Sequence, residues 1–418
     1  MKKGRPGPCL LALISFCGLF SFFVTPAQAK EPIRIGFVSI FSGRVAMLGE
    51  EGSKGVFLAA EEINSKGGLL GRKIEVITRD SGGKIEEAVR IAREFVVREK
   101  VDFLLDGSSS RESFAVKEVS RDLKKLTMVT ASETTSHTAD PTIYTPYTFR
   151  TARVAIHDAI VGGYFAAKVC KEKNLRKWYS ISPDYEYGHD NTELFFRYTR
   201  RYYPDMEVVG QVWPKLFEPD YTAHITKILK DKPDAVYSAL WAGDLASFLE
   251  QASLYGLFEK LKFFGINIAD PLVITALKKG VPAGMYTGNR YNPVVPDTQE
   301  NKSFAERYKA RFGTYPSNWS WQAYTAILAL EEAVKRCGTT DNEKVIKELE
   351  DLEIPAPCAQ PPRKSVVMRG RDHQLIYYTI GWAETISQPP YVKNVSYMSW
   401  EEILKLEEEY YKEKGWLK

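Results

Sequence analysis

The chain has 418 residues, 44% of them hydrophobic and 26% charged, with a formal net charge of +4. That length suits two lobes of ordinary domain size. The charge gives no electrostatic ground for binding nucleic acid or an anionic surface, and the scattered histidines and cysteines show neither zinc spacing nor an HExxH pattern.

At the N-terminus, Lys2, Lys3 and Arg5 precede an apolar run from Leu10 to Val24. The run is too short and wrongly flanked for a membrane span, and Ala27-Gln28-Ala29 forms a small-x-small cleavage site. Residues 1–29 therefore read as a signal peptide and Lys30 as the start of an exported mature chain. Loss of those three cations takes the formal charge from +4 to +1. Cys17 follows Phe16 rather than a small residue, which argues against a lipid anchor.

The mature chain opens with IRIGFVSI (33–40), a nearly continuous apolar run of the kind buried on both faces in a parallel sheet. A helical stretch follows, with Val56, Ala59, Ala60 and Ile63 at helical spacing and Gly67-Gly68 as its stop. RKIEVITRD is a strand, and Ile85 to Glu99 a helix. VDFLLDG is a strand, Glu112 to Leu123 a helix, and LTMVTAS a strand. After FRTAR (149–153) the alternation restarts and runs through RKWYSISPD, MEVVGQVW, DAVYSALWAG and KFFGINIADP as strands. Uninterrupted β-α alternation predicts doubly wound parallel sheets, here an α/β fold of two lobes around a hinged cleft. The expected division is 30–153 plus 286–358 for the N-terminal lobe and 154–285 plus 359–418 for the C-terminal lobe. Phe304 to Cys337 is strongly helical and is expected to return to the first lobe. The tail from Val366 reads as paired strands and is expected to rejoin the second.

Of the cysteines beyond the leader, Cys337 and Cys358 flank a single predicted helix and are expected to form a disulfide, leaving Cys170 as a core thiol. His157 and His189 read as helix-surface and loop residues, and Lys54 with Glu51 as a surface pair.

Two consecutive strands end in small hydroxyl residues, Ser108 to Ser110 and Ser132 to Thr135. One reading is a helix cap. The other is an anion cradle at a helix N-terminus, placed where doubly wound sheets bind ligands. The second lobe adds Tyr185, Tyr187, Trp241 and Tyr291 at loops or strand ends, an aromatic wall for an organic ligand. Arg111 is a candidate second carboxylate donor.

IRIGFVSIFSG, AAEEINSKGGLLGRKIEVITRDSG and the SSS loop resemble the leucine/isoleucine/valine-binding family of periplasmic solute-binding proteins, type I components of ABC importers. The resemblance continues through YGHD, DAVYSALWAGD, Gly265 and WQAYTAILALEEAV. It implies a periplasmic monomer that needs no cofactor or metal and delivers a small organic ligand to a membrane permease. It also implies that Ser108, with its neighbour Ser109, and Thr134 hold the ligand's carboxylate. The Ser132 carbonyl would take an ammonium group, with Tyr187 and Trp241 facing them from the second lobe. The family's acidic ammonium clamp falls on Asn267, and its aromatic from the first loop on Leu48. An ammonium buried without a negative partner is costly, so either Asp270 or Glu133 supplies the charge or the ligand lacks an ammonium. An aliphatic amino acid, an aromatic or other non-amino carboxylate, and an amide all remain open. A sensory protein that reports its ligand to a membrane receptor is the alternative to transport. An enzyme is disfavoured because the chain has no GxGxxG after the first strand and no GxSxG elbow.

Overall fold

The computed structural model describes residues 30–277 and 280–417, together with 1–4 and 7; the expected signal peptide lies almost wholly outside the described residues. Among the described residues no helix is long and apolar enough to cross a membrane.

Among the described residues fifteen strands form two sheets. The first nine to appear are β1 (Ile33–Ser39), β2 (Ile74–Asp80), β3 (Phe103–Gly107), β4 (Thr127–Val129), β5 (Thr148–Arg150), β6 (Lys177–Ile181), β7 (Glu207–Val212), β8 (Ala235–Ser238) and β9 (Lys262–Gly265). They are followed by β10 (Tyr286–Gly288), β11 (Leu352–Pro355), β12 (Ser365–Arg369), β13 (Gln374–Ile376), β14 (Gly381–Thr385) and β15 (Val392–Tyr397). One sheet has the order β11-β12-β13-β5-β4-β3-β1-β2 and the other β15-β14-β10-β9-β8-β6-β7. The cores β2-β1-β3-β4-β5 and β7-β6-β8-β9-β10 are parallel throughout and share one winding plan. Both have helices on their faces, as expected of apolar strands buried on two sides. In each core the winding reverses beside the first strand, which opens a crevice at the strands' carboxyl ends.

The structure moves the crossovers away from their expected positions. β10, expected to open a return to the first lobe, closes the second sheet beside β9. The tail hairpin β12-β13, expected in the second lobe, extends the first sheet, because the open edge of β5 takes up β13 and the Arg150 N–H donates to the His373 carbonyl at 2.8 Å. Only β14 and β15 rejoin the second sheet. The return to the first lobe takes two helices, Gln299–Phe312 and Asn318–Cys337, broken at Gly313, whose φ of +78° favours glycine. Asn318–Cys337 packs on Met47–Ser65 so closely that a Cβ on Gly55 would fall 2.1 Å from the Ser320 carbonyl oxygen. Glu51 is buried in this contact rather than exposed, and accepts bonds from Tyr308, Ser320 and Lys54.

His157 also differs from its expected place. It is fully buried, with Nδ1 2.9 Å from the Tyr378 hydroxyl and Nε2 2.7 Å from Glu407, which lies on the C-terminal helix Trp400–Glu413. Packing of that helix against the second lobe, which local periodicity does not report, accounts for the burial.

The expected disulfide is absent. Cys170, Cys337 and Cys358 are free thiols. The Cys337 thiol turns to the carbonyls of Val334 and Thr339 at the end of its own helix, at 3.8 and 3.4 Å. Cys358 is buried in the first-lobe core, where desolvation pushes its thiol up. Mature protein unfolded in denaturant without reductant should therefore titrate three thiols with a chromogenic disulfide reagent, and reductant should leave the unfolding midpoint unchanged.

Candidate functional site

The crevice at the switch point is built first by a buried carboxylate. β3 is fully buried and brings Asp106 beneath the loop that follows it. Asp106 Oδ1 accepts from the Ser108 N–H (3.0 Å) and hydroxyl (2.5 Å), and Oδ2 from Ser113 (2.5 Å). Burial raises this carboxyl despite those bonds. The pinned loop makes Ser109 the N-cap of the helix Ser110–Asp122, and the Ser109 hydroxyl donates to Glu112 at 2.8 Å. Both serines thus serve the fold, as a cap should. They also hold the N-terminal end of that helix, with its unpaired N–H groups, at the pocket wall.

The pocket contains about 330 Å³ of atom-free space, part of it open to solvent. Its first-lobe wall comprises Leu48, Ser108, Ser109, Ser110, Ala131, Glu133 and Trp319. Tyr185, Tyr187, Trp241 and Asn267 line it from the second lobe, and Arg290 from the segment after β10. Tyr185 and Tyr187 stack at 5.9 Å, and Trp241 Nε1 donates to the Tyr185 hydroxyl at 2.9 Å. Asn267 Nδ2 donates to the Tyr187 hydroxyl (3.2 Å) and the Leu240 carbonyl (3.0 Å). Trp241 and Trp319 meet edge to face at 5.7 Å and join the two lobes.

Other candidates stand outside this lining. Ser132 is buried behind the cradle and donates to the Ser110 hydroxyl at 3.1 Å. The Thr134 carbonyl accepts from Arg150, while its buried hydroxyl has no partner. Asp270 caps the short helix Pro271–Ala276 through the Leu272 N–H and reaches the Asn318 N–H at 3.4 Å. Arg111 is exposed on the helix surface, and Tyr291 packs under the loops against Phe304.

Sequence reasoning missed Arg290 and Trp319 and left Glu133 as an alternative. Arg290 pairs with Glu133 and, at 2.8 Å, with Asp158, which also takes two bonds from Arg153. All four side chains are at most 3% exposed. Burial alone would raise the Asp158 carboxyl, but Arg153 and Arg290 hold it below the ordinary range. Among the described residues no cluster of His, Cys, Asp and Glu could hold a metal ion.

A family model described as periplasmic binding protein matches residues 32–379, and the chain belongs to that family. The chain is 24% identical, over 84% of its length and 89% of the relative, to a leucine-, isoleucine-, valine-, threonine- and alanine-binding protein of Pseudomonas aeruginosa. Its fold is that of a solute-binding protein of an ABC transporter from Rhodopseudomonas palustris BisB5, solved with 3,4-dihydroxybenzoic acid. The TM-score is 0.78 and the identity 22%, over 88% of this chain and 96% of that one. A second R. palustris solute-binding protein, solved with benzoate, matches at TM-score 0.76 and 19% identity, over 88% and 98% of the two chains.

Carboxylates of the second lobe also meet the first. Asp190 accepts from the Thr135 N–H at 2.6 Å, and Arg44 reaches Asp244, the Ser247 hydroxyl and the Glu218 carbonyl. Burial pushes Asp190 up to about 6; Glu193 adds to the rise, and the Thr135 bonds and Arg150 oppose it. Unfolding returns Asp190 to water and to its ordinary value of 3.8. The folded form therefore holds the proton more tightly, and this group's contribution to stability is lost as pH rises from 4 through 6. Asp190→Asn, which keeps the acceptor, should raise the unfolding midpoint relative to the parent protein more at pH 8 than at pH 4.

Proposed function

We propose that this protein is the exported receptor component of an ABC importer. It would capture a small organic carboxylate between its lobes and present the closed complex to a membrane permease. The observation that carries this reading is a pocket whose polar wall, the N-terminal end of Ser110–Asp122, comes from one lobe and whose aromatic wall comes from the other except for Trp319. A ligand touching both walls stabilises the closed form by its differential contacts, which couples binding to closure. The N–H groups of the first turn of that helix, held at the wall by the Ser108 and Ser109 loop, suit a carboxylate. Tyr185, Tyr187, Trp241 and Trp319 suit a flat or branched apolar body. The names of the relatives agree with this class: one is named for binding leucine, isoleucine, valine, threonine and alanine, and two were solved with aromatic acids. The leader expected over residues 1–29 would place the mature protein in the periplasm as a monomer, and no catalytic group is required.

Adding ligand should change the intrinsic fluorescence, because Trp241 and Trp319 meet across the cleft. Trp241→Ala should weaken binding by about 2 kcal/mol, roughly thirty-fold in Kd, while leaving the unfolding transition cooperative. A purified protein that binds none of the amino or aromatic acids tested by calorimetry would overturn the carboxylate reading.

A further inference from the structure

The pocket lining contains one carboxylate among the described residues, and an ion pair with Arg290 neutralises it. Glu133 Oε2 faces the Arg290 guanidinium, and Oε1 accepts from Asn318 Nδ2 at 3.1 Å. Arg290 is balanced in turn by Asp158, and Asp158 by Arg153. Two buried cations thus meet two buried anions, and the set is neutral before any ligand arrives. Glu133 Oε2 has that ion pair and no hydrogen bond, and the other uncommitted capacity of the lining is donor capacity. Arg290 Nε–H is buried without an acceptor. The Tyr185 and Tyr187 hydroxyls each accept a bond, from Trp241 and Asn267, so each keeps its own proton to donate. These donors suit an incoming anion or neutral oxygen, whereas an ammonium would have to displace Arg290 from Glu133 or remain without a negative partner.

We propose that the Glu133–Arg290 pair makes this pocket selective for carboxylates that carry no ammonium group, and that it excludes zwitterionic α-amino acids. This rests on the carboxylate-binding reading above and narrows it. The ligand is a small acid, its carboxylate directed to the helix N-terminus and its ring or branched chain set among the four aromatic side chains. Glu133 and Arg290 act as specificity determinants. Buried polar groups fitted to one ligand pattern reject a mismatched one strongly, because the mismatch leaves charge unpaired.

The test is paired calorimetry on ligand-stripped, refolded mature protein. The pairs are 3-phenylpropanoate against phenylalanine and 4-methylpentanoate against leucine, with benzoate as a further probe. The deaminated member of a pair should bind at least about 100-fold more tightly than its amino acid. Arg290→Met, which releases Glu133, should move that ratio at least about tenfold toward the amino acid, whereas Arg290→Lys should preserve the preference. If Arg290→Met does not fold by circular dichroism, Glu133→Gln serves instead. It removes the one negative charge an ammonium could seek, so it should leave carboxylate binding in place and give no gain for amino acids. Amino acids that bind as tightly as their deaminated partners would overturn this inference and leave the carboxylate receptor standing. Folded protein that binds no acid of either kind would overturn both.

Discussion

The structure depends on the buried charge node where the chain passes between lobes. Arg153 lies on the first crossover, just after β5. It grips Asp158 at the start of the second lobe and donates to the Thr379 carbonyl on the last crossover, at 2.9 Å. Arg290, on the middle crossover after β10, joins the same Asp158. The Tyr378 ring lies 4.9 Å beneath the Arg153 guanidinium, and its hydroxyl accepts from the Val154 N–H at 3.0 Å. All three passages of the chain are thus tied at one point. Removing one member would leave an uncompensated buried charge, a loss of about 3–5 kcal/mol. The node also ends in the pocket, through Glu133, so the element that joins the lobes contributes to what the pocket accepts.

The doubly wound cores were legible because parallel strands buried on both faces must be apolar throughout and their crossover helices carry apolar stripes. IRIGFVSI and VDFLLDG signal their strands whatever surrounds them. The serine loop after β3 was legible for the same local reason, and it serves as both cap and cradle wall. The tail hairpin was not placed correctly, because alternating apolar residues specify a strand but not which sheet edge accepts it. The cysteine pairing failed similarly: closeness across one helix says nothing of where each thiol points.

The candidate site was legible in proportion to how much of it lies on local motifs. Ser108, Ser109, Tyr185, Tyr187, Trp241 and Asn267 sit on loops next to recognisable strands, and all line the pocket. Ser132, Thr134 and Asp270 have the right chemistry and lie close by, but the Ser132 and Asp270 side chains and the Thr134 carbonyl serve the loops around the pocket. Arg290 and Trp319 belong to segments that reach the crevice only after the chain has crossed between lobes, and no spacing rule connects them to the serine loop. Their proximity is a property of topology alone.

Tying three passages at one node has a mechanical consequence. Two bodies joined by a single strand can tumble independently, but two joined by three strands fastened together can only swing about the fastening. The contacts that must part on opening are those away from it: Arg44 with Asp244, and Trp241 with Trp319. Glu133, held by the pivot through Arg290, stays near its place while the tryptophans separate. The tryptophan side is then the mouth through which a solute enters, and the charged pair waits at the far end as a fixed gauge against which each arriving molecule is measured before the jaws shut.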